Sequence, residues 1–334
     1  MVNACHHFDV DDLARRVTSG ERRALSRAIT LVESTRDDDQ RTAQVLLERL
    51  HPHTGRAIRV GFSGTPGVGK STFVETLGTL LLERDLRLAV LAVDPSSPTT
   101  GGSILGDKTR MERLAHDQRA FVRPSPSGGA LGGIATRTRE AMMVCEAAGF
   151  DVVFIETVGV GQSEHAVSAI VDTFVLLVAP GGGDDLQGQK RGVLELVDIV
   201  VVNKADGSRV DEARATAQHY RIAGHLLHHE REWLPPVLLA SATTDIGVVE
   251  VWDTVQKHIA SMAVTRDAVR AAQAERWLWT SVESELLTRV RRHEAVQQAL
   301  PALLDEVRAG RRSPGRAASE LVDLVWRLAS NQGR

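Results

Sequence analysis

The stretch GTPGVGKST at residues 64–72 constrains this chain more than any other feature. It follows a short apolar run at 58–63 and opens a segment in which Phe73, Leu77, Leu80 and Leu81 share one helical face. A strand, a glycine-rich loop and a helix in that order are the setting a Walker A loop requires. Gly64, Gly67 and Gly69 let backbone N–H groups turn inward with no Cβ in the way, so that the loop, with Thr65, Pro66 and Val68, can wrap a phosphate chain. The helix N-terminus adds its dipole to that anion site. Lys70 is expected to reach the β- and γ-phosphates and Ser71 to give its hydroxyl to Mg²⁺, with Thr72 completing the motif.

The remaining sequence has the rhythm of a sheet that could carry such a loop. Apolar runs at 58–63, 88–94, 120–123, 152–157, 173–179, 199–203 and 237–241 alternate with helical segments. Continuously apolar strands separated by helices imply an α/β P-loop NTPase fold, with a mainly parallel sheet covered by helices on both faces. Residues 8–50 read as helical, with Leu13, Val17, Leu25, Ile29 and Val32 as an apolar stripe, and His51-Pro52-His53-Thr54-Gly55 as a hinge. After Trp252 the strands stop. A helical pattern runs over 264–299, Gly310-Arg311-Arg312 interrupts it, and Ser313-Pro314 supplies an N-cap and first residue for a last helix ending near Leu328. The expected organisation is an N-terminal helical extension at 1–55, a nucleotide domain at 56–262 and a C-terminal helical arm at 263–334. Trp277 and Trp279 favour a dimerisation role for that arm, since tryptophan is enriched at interfaces.

Two further motifs specify the nucleotide. ETVGVGQSE begins at Glu156, on the end of a strand, where a carboxylate can hold Mg²⁺ as Walker B acids do. Gly159 can place its N–H on the γ-phosphate and so sense whether that group is present. NKAD, at Asn203, Lys204, Ala205 and Asp206, lies at another strand end. The Asp206 carboxylate can accept from guanine N1–H and the exocyclic amine. Adenine offers neither donor in that geometry, so ATP would leave a buried carboxylate unpaired, at a cost of roughly 1–3 kcal/mol or more. Asn203 and the stem of Lys204 frame the base, and Ser241, Ala242 and Thr243 suit a backbone contact to guanine O6. Between the first two motifs, Asp94 and Asp107 sit where a mobile switch would need Mg²⁺-linked carboxylates. GTP or GDP with Mg²⁺ is the expected ligand set, and GTP hydrolysis the expected activity.

Composition excludes several other classes. A net charge of −3 with 25% charged residues gives no basic excess for nucleic acid or an anionic membrane surface. No apolar run reaches bilayer length, and the acidic start MVNACHHFDVDD is unlike a signal peptide, so a cytoplasmic protein is expected. Cys5 and Cys145 form no CxxC pair, which argues against a disulfide framework. Cys5, His6 and His7 are too few for a metal-carrying segment, and His225, His228 and His229 read as a solvated helical face.

Together, GTPGVGKST, VDPSSPTTGGSILGDKTRM, FIETVGVGQSE, PGGGDDLQGQKRG and VVNKAD resemble the MeaB/MMAA/ArgK GTPases over about residues 10–330. That resemblance implies a homodimer joined through the C-terminal extension. It also implies a chaperone for adenosylcobalamin-dependent methylmalonyl-CoA mutase, one that gates cofactor loading and protects the working mutase. It sets Asp94, Asp107 and Glu156 at the metal and phosphate site with Lys70 and Ser71, and sets 181–190 on a third switch that relays the partner's presence. Within that switch Lys190 is a cation able to approach developing phosphate charge. The family's usual GIKKG reads Gly188-Gln189-Lys190-Arg191-Gly192 here. Two alternatives are a P-loop kinase, against which NKAD argues, and a nickel-insertion GTPase, which would need a richer His or Cys segment.

Overall fold

The computed structural model describes residues 9–94, 111–126, 131–157, 163–181, 191–227 and 232–331. Seven apolar runs pair in one sheet: β1 (Ile58–Gly64), β2 (Leu88–Asp94), β3 (Ala120–Pro126), β4 (Val152–Thr157), β5 (Thr173–Val178), β6 (Ile199–Val202) and β7 (Val237–Leu239). Their order is β3-β2-β4-β1-β5-β6-β7, and every neighbouring pair is parallel. Every residue of β4, β5 and β6 is buried, as expected for strands covered on both faces.

The strand order decides where a site can form. From β1 the chain steps outward to β2 and β3, returns with β4 beside β1, and then crosses to β5 on the other side. Loops leaving the carboxyl ends of β1, β4 and β5 therefore diverge, and ligands of open α/β sheets bind in the crevice at such a switch point. Phe62 lies opposite Glu156, and Gly64 opposite Leu177, so the ends of these three strands are level.

Helices α1 (Val10–Thr18), α2 (Arg22–Glu33) and α3 (Asp37–Leu50) precede the sheet. The first is capped by Asp9, whose side chain accepts the Asp12 N–H at 2.9 Å. Val17, Ile29, Leu46 and Leu50 bury themselves in one cluster with Phe121, Val153 and Ile155, so these helices cover one face of the sheet. Next in the chain come α4 (Lys70–Glu83), α5 (Glu112–His116), α6 (Leu131–Ala147), α7 (Ser163–Ser168), α8 (Arg191–Leu194), α9 (Val210–Leu227) and α10 (Val248–Ser261). On the other face Phe73, Leu77 and Leu81 of α4 and Trp252 of α10 pack with Phe62 and Phe154. The rings of Phe62 and Phe154 meet edge to face at 5.0 Å.

The chain ends in α11 (Arg266–Arg292), α12 (Glu294–Arg308) and α13 (Pro314–Asn331). The single helix expected over 264–299 is corrected to two, because His293 adopts an extended ψ of 126° between them. Neither glycine nor proline marks that break. Pro301 sits inside α12, where it removes one helical hydrogen bond. The last helix starts as its sequence indicates, at Pro314, with Ser313 Oγ accepting the Arg316 N–H at 3.4 Å. Among the described residues no helix is long and apolar enough to cross a membrane.

Compactness divides the chain into a unit ending at Gln273 and a second from Ala274 onward. The first turns of α11 are bound to the foot of the sheet by buried charge. Asp172, its side chain 2% exposed, accepts from Arg59 N at 2.9 Å, Arg266 Nη2 at 3.0 Å, and Arg270 Nε and Nη2 at 2.8 and 2.6 Å. Arg266 and Arg270 also donate to the Ala57 carbonyl, and Arg270 to that of Gly55. Glu146 of α6 completes the cluster by accepting Arg59 Nε at 2.6 Å and Gly55 N at 2.8 Å. Burial would raise the Asp172 pKa, but the hydrogen bonds and charge of Arg270, with the Arg59 N–H and Arg266, outweigh it and hold the group below its ordinary value.

A chain ending at Gln273 keeps this cluster, whereas one ending at Thr265 leaves Asp172 buried without its guanidinium partners. The shorter chain should be less stable by about 3–5 kcal/mol, measured by equilibrium urea unfolding. Because the folded pKa of Asp172 is depressed, its contribution is present above the unfolded carboxylate value and lost as pH falls through the folded one. The difference between the two fragments should therefore shrink in acid.

Candidate functional site

The loop between β1 and α4 is shaped by its glycines and closed by Lys70. Gly69 has φ +93°, and a Cβ there would stand 2.8 Å from Asn203 Nδ2, so both conformation and space demand glycine. Val68 turns its side chain into the core while its N–H bonds back to Thr65 O at 3.2 Å. Pro66 and Gly67 stay exposed at the loop's crest, and Thr72 is exposed in the first turn of α4. Lys70 Nζ donates to Gly64 O at 2.6 Å and Thr65 O at 3.3 Å. Burial lowers the Lys70 pKa, and the charges of Glu156 and then Glu164 oppose that shift.

Parallel pairing of β1 with β4 brings the second motif to the first. Ser71 Oγ donates to Glu156 Oε1 at 2.8 Å, and Glu156 is 4% exposed. Thr157 anchors the end of β4 by donating to Phe62 O at 3.3 Å. A hydroxyl and a carboxylate at this separation are hard oxygen donors. They suit Mg²⁺, which takes one or two protein ligands and completes its shell with phosphate oxygens and water. Among the described residues no group of three or more His, Cys, Asp or Glu is placed to hold a metal ion. Asp107, Gly159 and Lys190, and the side chain of Asp94 at the end of β2, lie outside the described residues.

Across β5, the third motif is tied to the phosphate loop through buried hydrogen bonds. Asn203, 1% exposed, donates Nδ2 to Val68 O at 2.9 Å and accepts the Ala242 N–H on Oδ1 at 3.2 Å. One side chain thus joins the phosphate loop, the end of β6 and the segment after β7. Lys204 adopts φ +61°, an uncommon left-handed conformation for a side-chain-bearing residue, and its Nζ reaches Gly67 O at 2.6 Å. Sequence reasoning gave this residue a base-framing stem; its amine also spans the loop.

Asp206 accepts the hydroxyl of Ser241 on Oδ2, with Thr243 Oγ1 at 3.5 Å from the same atom. Those contacts orient the carboxylate and leave Oδ1 for a base donor. Ser241 and Thr243 therefore act here through side chains on Asp206, while the Ser241 N–H is taken by Ile246 O at 2.8 Å. Thr76 of α4 was missed entirely. Its hydroxyl donates to Ala242 O at 2.8 Å, pinning the segment after β7, and a pair 166 residues apart in sequence leaves no local signal. The strand ends thus read, from β4 to β7, as acid and hydroxyl, glycine loop, then the Asp206 carboxylate.

This layout has relatives. The family described as Methylmalonyl Co-A mutase-associated GTPase MeaB matches residues 25–295. A protein of Mycobacterium tuberculosis described as a probable GTPase is 53% identical over 329 residues, covering 97% of this chain and 98% of its own. The mitochondrial methylmalonic aciduria type A homolog of Mus musculus is 45% identical, covering 94% of this chain and 79% of its own. A crystal structure described as LAO/AO transport system kinase superposes with a TM-score of 0.73 at 35% identity, over 98% of this chain and 99% of that one.

The geometry at Asp206 sets an expected outcome. Asp206→Asn replaces an acceptor by a donor, so GTP affinity should fall by about tenfold to a hundredfold or more, the scale of an unmatched buried hydrogen bond. Xanthosine triphosphate, which offers an acceptor in place of the amine, should bind the variant better than GTP does. Competition between the two nucleotides in an equilibrium binding assay measures this.

Proposed function

Because this chain belongs to the MeaB family of methylmalonyl-CoA mutase-associated GTPases, we propose that its GTPase cycle serves an adenosylcobalamin-dependent methylmalonyl-CoA mutase. It binds guanine nucleotide and hydrolyses GTP; the proposal concerns what that cycle does and which residues run it. The cycle gates entry of the cofactor into the mutase and protects the working enzyme. The match to a family described by its association with that mutase carries this reading.

In this reading Lys70 takes the β- and γ-phosphates, the loop from Gly64 to Thr72 wraps them, and Asn203, Lys204 and Asp206 hold guanine. Ser71 and Glu156, with Asp94 and Asp107, hold Mg²⁺, which neutralises phosphate charge when bound. Support comes from the 2.8 Å approach of Ser71 to Glu156 beside the loop. Ser71→Ala and Glu156→Ala should then weaken GTP binding or hydrolysis more than GDP binding, read from nucleotide titrations with and without Mg²⁺. Equal losses would mean damage to the fold.

The second unit is proposed as a dimerisation arm. Leu278, Trp279 and Leu287 on α11 are 58%, 62% and 58% exposed, a large apolar surface for one helix. The chain ending at Gln273 should accordingly be monomeric in sedimentation experiments and still bind nucleotide.

A GTPase that reports on a partner should be slow alone and hastened by it. The 181–190 segment, with Lys190 near its end, is the proposed element through which the mutase acts. Purified methylmalonyl-CoA mutase should be retained by this protein in a nucleotide-dependent manner, tested with GDP and with a non-hydrolysable GTP analogue. It should also accelerate hydrolysis. Lys190→Ala should keep GTP affinity and the slow basal rate but lose the acceleration. No acceleration of the wild type would remove this mutase as client.

A further inference from the structure

A threonine inside a helix can satisfy its hydroxyl on its own backbone, at the carbonyl four residues earlier. Thr79 of α4 does so with Glu75 O at 2.9 Å, and Thr30 of α2, Thr42 of α3 and Thr254 of α10 do the same in their helices. Thr76, three residues before Thr79, does not. Its hydroxyl leaves the helix and donates to Ala242 O at 2.8 Å. Helix α4 carries Lys70 and Ser71 in its first turn, so this bond joins the helix that follows the glycine loop to the segment after β7.

Both backbone groups of Ala242 are thereby held by side chains from distant segments: the carbonyl by Thr76 and the N–H by Asn203 Oδ1 at 3.2 Å. On either side of Ala242, the Ser241 hydroxyl donates to Asp206 Oδ2 and Thr243 Oγ1 lies 3.5 Å from the same atom. The residue that Thr76 fixes therefore stands between the two that orient Asp206. Ala242 is buried, 6% exposed. A buried carbonyl that loses its donor must turn toward another one, and turning this peptide moves the hydroxyls that aim the carboxylate.

We propose that Thr76 is a positioning residue for base recognition: by holding the Ala242 carbonyl it aims Asp206 through Ser241 and Thr243, and so slows nucleotide release and sharpens the choice of base. This rests on the reading of Asp206 as the guanine acceptor. Thr76 acts through Ala242 and takes no part in bond breaking. Its effect is the same for GDP and GTP, which carry the same base. It is smaller for inosine nucleotides, which lack the exocyclic amine and offer Asp206 one donor instead of two.

The test uses the full-length protein and its Thr76→Val and Thr76→Ser variants with fluorescent analogues of GDP and inosine diphosphate. Thr76→Val keeps the branched shape and removes the donor. It should release the GDP analogue faster by about threefold to tenfold, the scale of one neutral hydrogen bond. Release of the inosine analogue should change less, so the preference for guanine should narrow. Thr76→Ser, which keeps the hydroxyl, should stay near the wild type on both counts. A threonine that only braces α4 predicts equal changes for the two bases. Such equal changes, unchanged release in Thr76→Val, a serine variant that behaves like the valine one, or a Thr76→Val protein without native circular dichroism would each overturn the proposal. Wild-type protein that binds the two analogues equally well would instead overturn the reading of Asp206, so the two failures are distinguishable.

Discussion

All seven strands of the sheet run in one direction, and the rest of the molecule depends on that constraint. Parallel strands need crossover helices, which cover both faces, so the strands become largely apolar along their middles. The polar residues of the site collect where strands end. Because the strands are parallel, their carboxyl ends share one edge, and there Gly64, Glu156, Asn203 and Ser241 stand in a row. The opposite edge carries charge of another kind. Asp172, Glu146 and three arginines pair with one another and with backbone at the foot of β1 and β5, away from the phosphate loop.

Within the site, the Asn203 side chain joins segments far apart in sequence. Its buried amide bonds to Val68 in the glycine loop and to Ala242 after β7, so these two segments cannot shift independently. Removing either partner would leave a buried polar group unsatisfied, which is why such a bridge holds its neighbours to one geometry. Lys204 adds a second tie to the same loop at Gly67, and its left-handed backbone is the strain accepted for it. Together these bonds tie the ends of β6 and β7 to the loop after β1. On the phosphate side, Lys70 is bonded to the carbonyls at the loop root. A ligand must replace those contacts with its own.

The family places this chemistry in a wider setting. A GTPase that serves a partner enzyme has reason to exchange nucleotide readily and to keep its own hydrolysis slow. The first turns of α11 are anchored at the foot of the sheet, whereas Leu278, Trp279 and Leu287 further along the helix are exposed.

Much of this was legible in the sequence, because local rules carry it. The glycine loop after a strand, the alternation of apolar runs with helices, and the Ser313-Pro314 start of the last helix each depend on a few adjacent residues. The nucleotide class was legible too, since Asp206 and its neighbours form one short motif. Contacts between distant segments were not. Thr76 with Ala242, Asn203 with Val68, and Arg270 with Asp172 pair residues roughly a hundred or more apart. The break at His293 was also illegible, since neither glycine nor proline marks it. Sequence by itself determined the elements, the sheet class and the chemistry available at the strand ends. Tertiary structure alone decided which ends became neighbours, where the first turns of α11 are anchored, and that Glu164 lies beside Ser63. Those outcomes depend on strand order and burial, which are properties of the whole sheet rather than of any segment.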